Sequence, residues 1–219
     1  MVFDVDSTLT GIEGIDWLAA RRDAATAEWV LQLTARVMAG EMPIEEAYAV
    51  RLDRVAPTRD EVRALAEAYR DAVAPDARAV VAMLVKTGVR VLAVSGGLRD
   101  AVVPFCTGLG FAASDVHAVA VGWDARGRYA GLVPGSPLAT QIGKVKVLKG
   151  LALKHPILAV GDGSTDVEMK RAGEVDAFAA YTGFTRRPMV VQAADFVVTS
   201  FAELLEHVER PHRSAAPNG

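Results

Sequence analysis

The chain has 219 residues, 51% of them hydrophobic and 23% charged, with a formal net charge of −3. That is apolar material for one large core, or for a core with a smaller insertion, and it excludes a disordered chain. So balanced a charge gives no electrostatic reason to expect nucleic acid or an anionic membrane as partner, and no apolar run reaches transmembrane length.

Met1, Val2 and Phe3 form a short apolar start that ends in Asp4 and Asp6. Three residues are few for a buried first strand, so some residues ahead of Met1 are expected to be missing. No basic leader is visible, and the single cysteine, Cys106, reads as a buried thiol. Together these predict a cytoplasmic protein. From about Ile15 to Tyr69 the pattern is helical. Trp29, Val30, Leu33 and Val37 recur at helical spacing in a segment that Gly40 is expected to stop. A second helix follows Pro43. A third opens at Thr58 with Glu61 three residues on, a capping-box pattern.

From Pro75 onward helices and strands alternate. DARAVVAMLVKTG reads as a helix, VRVLAVS as a buried strand ending in SGG, and the next helix runs through Leu109. VHAVAVGWDARGRYAGLV predicts a hairpin turned at DARG. GKVKVLKGLAL is a helix, PILAVGDG a second buried strand and STDVEMKRAG the helix after it. VDAFAA and DFVVT are short strands, Ser200 caps a last helix, and RPHRSAAPNG reads as a frayed end. The expected fold is therefore α/β: a Rossmann-like parallel sheet core with an inserted small α-helical cap. The expected boundaries are core 1–11 and 75–219, and cap 12–74.

Three polar clusters fall at predicted strand ends, where open α/β sheets bind ligands. They are Asp4–Thr8 (DVDST), Ser95–Gly97 (SGG) and Gly161–Asp166 (GDGSTD), with Lys144 at the head of the helix before the third. Singly, each also reads as local structure: SGG as a strand-to-helix turn, GDGSTD as an Asx turn and helix cap, Lys144 as a solvated lysine. A calcium loop is disfavoured for DVDST, because Leu9 and Ile15 stand where that loop needs Gly and Glu. Jointly the clusters suit phosphoryl transfer through an aspartyl phosphate. One carboxylate attacks phosphorus, and another protonates the leaving oxygen and then activates water. The charge requires cations. Mg²⁺ accepts one or two carboxylates with phosphate oxygen and water, while Lys144, Ser95 and the amides after it can hold the other oxygens.

In this order, FDVDST, VSGGL, Lys144 in GKVKVL and VGDGSTDVEM resemble the four motifs of the haloacid dehalogenase-like phosphatases. The resemblance covers nearly the whole chain. EGIDWLA and MAGEMPIEEAYAVRL resemble the cap segments of the phosphoserine phosphatases within that superfamily. The resemblance implies Asp4 as nucleophile and Asp6 as general acid and base. It implies Asp4, the backbone carbonyl of Asp6 and Asp162 as Mg²⁺ ligands, with Asp166 supporting the metal from just outside. Ser95, Gly96 and Lys144 would hold the phosphate, and Thr165 would stand near the substrate. Glu13 would meet an ammonium group and Arg51 a carboxylate, which a guanidinium can bind in bidentate fashion. From the residues alone, Arg51 is equally a solvated helix arginine, and Glu13 a first-turn residue favoured by the helix dipole. Met38 and Ile44 read equally as pocket lining and as cap packing.

Trp17, Trp29 and Trp123 read as packing residues. His117, His155, His207 and His212 show no metal-ligand spacing, and Arg186 and Arg187 read as a solvated loop. The expected reaction is Mg²⁺-dependent hydrolysis of O-phospho-L-serine to L-serine and phosphate. Kept open are a phosphatase or phosphotransferase for another small phosphomonoester, such as phosphoethanolamine, phosphohomoserine or a sugar phosphate, and a non-catalytic binding module. The partner is a small phosphomonoester, with monomer and homodimer both open.

Overall fold

The structure, a computed structural model, describes residues 1–38 and 41–209. Gly40, the predicted helix stop, lies outside these residues, as do His212 and the predicted frayed end. β1 (Val2–Phe3) leads into four helices, α1 (Gly14–Ala19), α2 (Ala24–Met38), α3 (Ile44–Val55) and α4 (Arg59–Asp71). The chain continues as α5 (Ala77–Lys86), β2 (Leu92–Leu98), α6 (Arg99–Leu109), β3 (Val116–Val119), β4 (Val121–Trp123) and β5 (Tyr129–Leu132). It ends with α7 (Gly143–Leu151), β6 (Leu158–Gly161), α8 (Ser164–Arg171), β7 (Ala177–Tyr181), α9 (Pro188–Ala193), β8 (Phe196–Val198) and α10 (Phe201–Glu209).

Six strands form one parallel sheet in the order β3-β2-β1-β6-β7-β8, as the alternation of strands and helices predicts. Val2 pairs with Leu92 on one side and with Ala159 on the other, so two residues suffice to put β1 at the centre of the sheet. Both are fully buried, and Phe3 packs edge-on to Phe111 and stacked on Phe201. Asp4 therefore leaves the sheet between the ends of β2 and β6, where the connections part to opposite sides.

The helical block α1–α4 is inserted between β1 and β2. Its two connections pair with each other: Gly11 N–H donates to Ala72 C=O and Ala74 N–H to Leu9 C=O, each at 2.9 Å. Thr58 and Glu61 form the predicted capping box at the head of α4, and Arg22 grips the Glu61 carboxylate with both terminal nitrogens, at 2.6 and 2.7 Å. The segment around Trp17–Val37, read as continuously helical, is two helices. Asp23 interrupts it, because its carboxylate accepts from Thr26 N–H at 2.8 Å and so starts α2 afresh.

Two further details differ from the sequence reading. Val116–Val119 joins the main sheet beside β2, so only β4 and β5 form the hairpin, turned through Gly127 at φ +71°. The loop around TRRPMVV contains a short helix, α9, with Pro188 in its first turn, where the missing N–H costs nothing. No helix among the described residues is long and apolar enough to cross a membrane.

Candidate active site

The chain turns sharply after β1. Thr8, Leu9 and Thr10 all direct their N–H groups at Val5 C=O, at 2.9–3.1 Å, and Ser7 adopts the left-handed conformation at φ +53°. Such a backbone is costly for a residue with a side chain and concentrates at functional sites. The turn aims Asp4 across the sheet edge and Asp6 up toward the helical insertion.

Asp4 Oδ1 accepts from its neighbour Val5 N–H at 2.7 Å and from Lys144 Nζ at 2.8 Å. Its Oδ2 has no hydrogen-bond partner among the described residues. Lys144, 3% exposed, also donates to Asp166 Oδ1 at 2.7 Å. Burial works against the ammonium, but Asp166 and Asp4 outweigh it and hold Lys144 above its ordinary pKa. Asp166 lies against Gly161 so closely that a Cβ there would overlap its carboxylate; only glycine fits that strand end. Its other oxygen accepts from Gly163 N–H at 3.0 Å.

Asp6 is held from the insertion. Gly14 N–H at the start of α1 donates to Oδ2 at 2.8 Å, and the buried Tyr69 hydroxyl on α4 donates to Oδ1 at 2.7 Å. Burial, and then the charge of Glu13, push Asp6 up to about 8 despite these two donors. A carboxyl of that kind holds its proton near neutral pH and can give it up, as a general acid must.

Asp4, Asp162 and Asp166 are buried and offer oxygens that all lie within 4.8 Å of one another. Burial, and then Asp4, raise Asp162 well above the carboxylate range; burial, opposed mainly by Lys144, raises Asp166 to about 7. Clustered hard oxygens that resist sharing negative charge form a donor set suited to a divalent cation. Both oxygens of Asp166 accept from protein donors, and so do both of Asp162, from Thr8 Oγ1 at 3.2 Å and from Arg187 at 3.0 Å, whereas Asp4 keeps Oδ2 open among the described residues. Asp166 thus stands within the cluster of carboxylates itself, where the sequence reading placed it just outside, and the Asp6 carboxylate is not part of it.

Asp4, Asp6, Lys144 and Asp162 face one cleft of about 140 Å³, lined also by Glu13, Arg51, Ser95, Gly96 and Thr165. The roughly 300–1,000 Å³ of drug-sized sites is larger, so the cleft suits a small metabolite. Ser95 is fully buried at the end of β2, and its Oγ accepts from Gly97 N–H at 2.9 Å. Arg51 reaches in from α3. Its Nη1 donates to Thr34 Oγ1 at 2.9 Å, while its buried Nε has no partner among the described residues. Asp16 lies beside it; its pKa is raised by burial against the pull of Arg51. Ile44 lines the cleft, whereas the side chain of Met38 lies outside what is described.

Arg187 requires a correction. It is not solvated but bridges Glu13 Oε1 at 3.3 Å and Asp162 Oδ2 at 3.0 Å, with its side chain 25% exposed. Arg186 stays exposed as expected. Glu13 therefore has Arg187 and Ser7 Oγ, at 2.7 Å, as neighbours; burial raises its pKa and these two partners oppose the rise. Tyr48 also went unnoticed in the sequence; it lines the cleft and its hydroxyl donates to Gly96 C=O at 2.5 Å. The three tryptophans pack against the core as expected.

A parallel sheet with a helical insertion, and an aspartate at the end of its first strand facing a buried lysine and further carboxylates, is the arrangement of one hydrolase class. A family model of haloacid dehalogenase-like hydrolases matches residues 1–171, and the chain belongs to that family. Among curated relatives, the phosphoserine phosphatase of Mus musculus is 35% identical over 94% of this chain and 92% of its own length. A solved phospho-aspartyl intermediate analogue of phosphoserine phosphatase superposes with a TM-score of 0.79 at 25% identity, covering 94% of this chain and 96% of that one. A phosphoserine phosphohydrolase-like protein from Francisella tularensis gives a TM-score of 0.86 at 24% identity, covering 94% and 98%, a likeness of fold.

Proposed function

We propose that the protein is a Mg²⁺-dependent phosphomonoesterase that converts O-phospho-L-serine to L-serine and phosphate. The observation that carries this reading lies in two of the three cations that line one small cleft: Lys144, which spends two of its three ammonium donors on Asp4 and Asp166, and Arg51, whose buried Nε has no partner among the described residues. A phosphomonoester with a carboxylate at its other end fits both. The relatives named phosphoserine phosphatase support the same substrate.

In this reading Asp4 Oδ2 attacks phosphorus, forming an aspartyl phosphate as the serine oxygen leaves. Asp6, with its raised pKa, gives the leaving oxygen its proton and then takes one from the water that cleaves the intermediate. Lys144, Ser95 and Gly96 hold the phosphate oxygens. Asp4, the Asp6 carbonyl and Asp162 would bind the cation, with Asp166 behind them. That ion supplies a Lewis acid for the phosphate and offsets the charge of the attacking carboxylate. Arg51 takes the substrate carboxylate and Glu13 its ammonium, with Thr165 near the substrate and Arg187 setting where the Glu13 carboxylate lies. The cap, residues 12–74, closes this site on the core, residues 1–11 and 75–219. The buried free thiol of Cys106 supports a cytoplasmic setting.

The test is phosphate release from phosphoserine, phosphothreonine, phosphoethanolamine and 3-phosphoglycerate, with Mg²⁺ and with EDTA. Preference for phosphoserine, dependent on Mg²⁺, is expected. Hydrolysis of the other esters without phosphoserine would leave Asp4 and Asp6 in place and remove the roles given to Glu13 and Arg51.

A further inference from the structure

Tyr48 joins the two halves of the cleft. It projects from α3, is 4% exposed, and its hydroxyl donates to Gly96 C=O at 2.5 Å. The peptide that begins with that carbonyl continues into Gly97 N–H, which donates to Ser95 Oγ at 2.9 Å. A peptide unit is a rigid plane, so holding both its carbonyl and its N–H fixes its rotation. Fixing it also fixes Ser95: a lone pair of Oγ is committed to Gly97, and the hydroxyl proton remains to donate elsewhere. The segment has little room to relax, since a Cβ on Gly97 would come within 2.8 Å of Val102 Cγ2 and 3.2 Å of Ser95 Oγ. Burial, and then the charge of Asp6, hold the Tyr48 phenol above its ordinary pKa, so it remains a donor.

We propose that Tyr48 is a positioning residue through which the helical insertion sets the Gly96–Gly97 peptide, and with it the Ser95 hydroxyl, for binding phosphate. The inference rests on the reading of Ser95–Gly97 as phosphate-holding. On this view the insertion does more than recognise the distal part of a substrate; when seated, it completes the phosphate end. The hydroxyl and the ring have separable jobs, because the ring also lies 5.9 Å below the Arg51 guanidinium.

The experiment compares wild type with Tyr48→Phe and Tyr48→Leu. It reads kcat/KM on phosphoserine, phosphoethanolamine and p-nitrophenyl phosphate, and competitive inhibition by inorganic phosphate. Loss of the one hydroxyl in Tyr48→Phe is expected to lower kcat/KM about tenfold on all three esters and to raise the phosphate inhibition constant by a similar factor. The ratio of phosphoserine to phosphoethanolamine should stay unchanged. Tyr48→Leu should show the same loss and also shift that ratio, since it removes the ring beside Arg51. A loss confined to phosphoserine, or a lowered melting temperature with unchanged phosphate inhibition, would overturn the proposal. If wild type releases phosphate from none of the esters, the proposed function fails, and calorimetric binding of inorganic phosphate to wild type and Tyr48→Phe still decides the role of Tyr48. Equal affinities there would reject it.

Discussion

Lys144 and Arg51 are cations facing the same cleft, and they are held in opposite ways. Lys144 belongs to the sheet side. It is buried between Asp4 and Asp166 at 2.8 and 2.7 Å, and its neighbours are themselves pinned by backbone amides. Arg51 belongs to the helical side, with a hydrogen bond to Thr34 and a buried Nε that has no partner among the described residues. A buried donor without a partner costs about 1–3 kcal/mol, more when charged, and a site tolerates that where a ligand returns it. The contrast separates a finished reaction centre from a recognition surface that is completed on binding.

The comparison breaks first at Asp4. Asp4→Asn should lower turnover at least ~10³-fold with the fold intact, since the nucleophile has no substitute; initial rates with near-normal turnover would end the covalent mechanism. Next comes the cation. EDTA treatment should cost at least ~10²-fold in phosphate release, recovered by Mg²⁺, and full activity after exhaustive chelation would remove the role of the Asp4–Asp162 pair. On the recognition side, Arg51→Ala should lower kcat/KM for phosphoserine by about 10–100-fold, the worth of a charged hydrogen bond, and leave phosphoethanolamine within ~3-fold. Equal losses on the two would show that Arg51 does not meet the carboxylate.

The smallest effect is on the frame of the cap. Arg22, aided by Thr58, holds Glu61 at about 2, well below its ordinary 4.5. A depressed carboxyl stabilises the fold above its unfolded value and loses that contribution as pH falls through the folded one. Glu61→Gln should therefore cost about 1–2 kcal/mol at pH 7, a figure discounted for partial exposure. The difference should shrink as pH drops from about 4.5 toward 2. Urea unfolding curves across that range check it; a difference that grew on acidification would contradict the sign.

Much of the reaction centre was legible because each part is local. Asp4 and Asp6, Ser95–Gly97 and Gly161–Asp166 announce themselves as polar groups closing apolar runs, and the capping box at Thr58 lies within four residues. What the sequence hid depends on contacts with no local signature. Arg187 meets Glu13 from 174 residues away, and in its own segment it looks like any loop arginine. The Tyr48 hydroxyl fits helical packing on α3 as well as any apolar side chain would, and only the arrival of β2 makes it a donor to Gly96. Asp23 is the exception, since its two hydrogen bonds from Thr26 are local; they are masked because the apolar periodicity continues on both sides. Val116–Val119 carries the alternation of a hairpin strand, and the sheet claims it because the edge of β2 is open.

The paired connections between Leu9–Gly11 and Ala72–Ala74 have an evolutionary consequence. The whole insertion departs from and returns to adjacent points, so to the sheet it is one long excursion between neighbouring residues. Such a block can be exchanged for another, and the ligand preference with it, without moving any strand. The exchange is not free, because Gly14 and Tyr69 supply both donors to Asp6. Any replacement would inherit the obligation to bring its own.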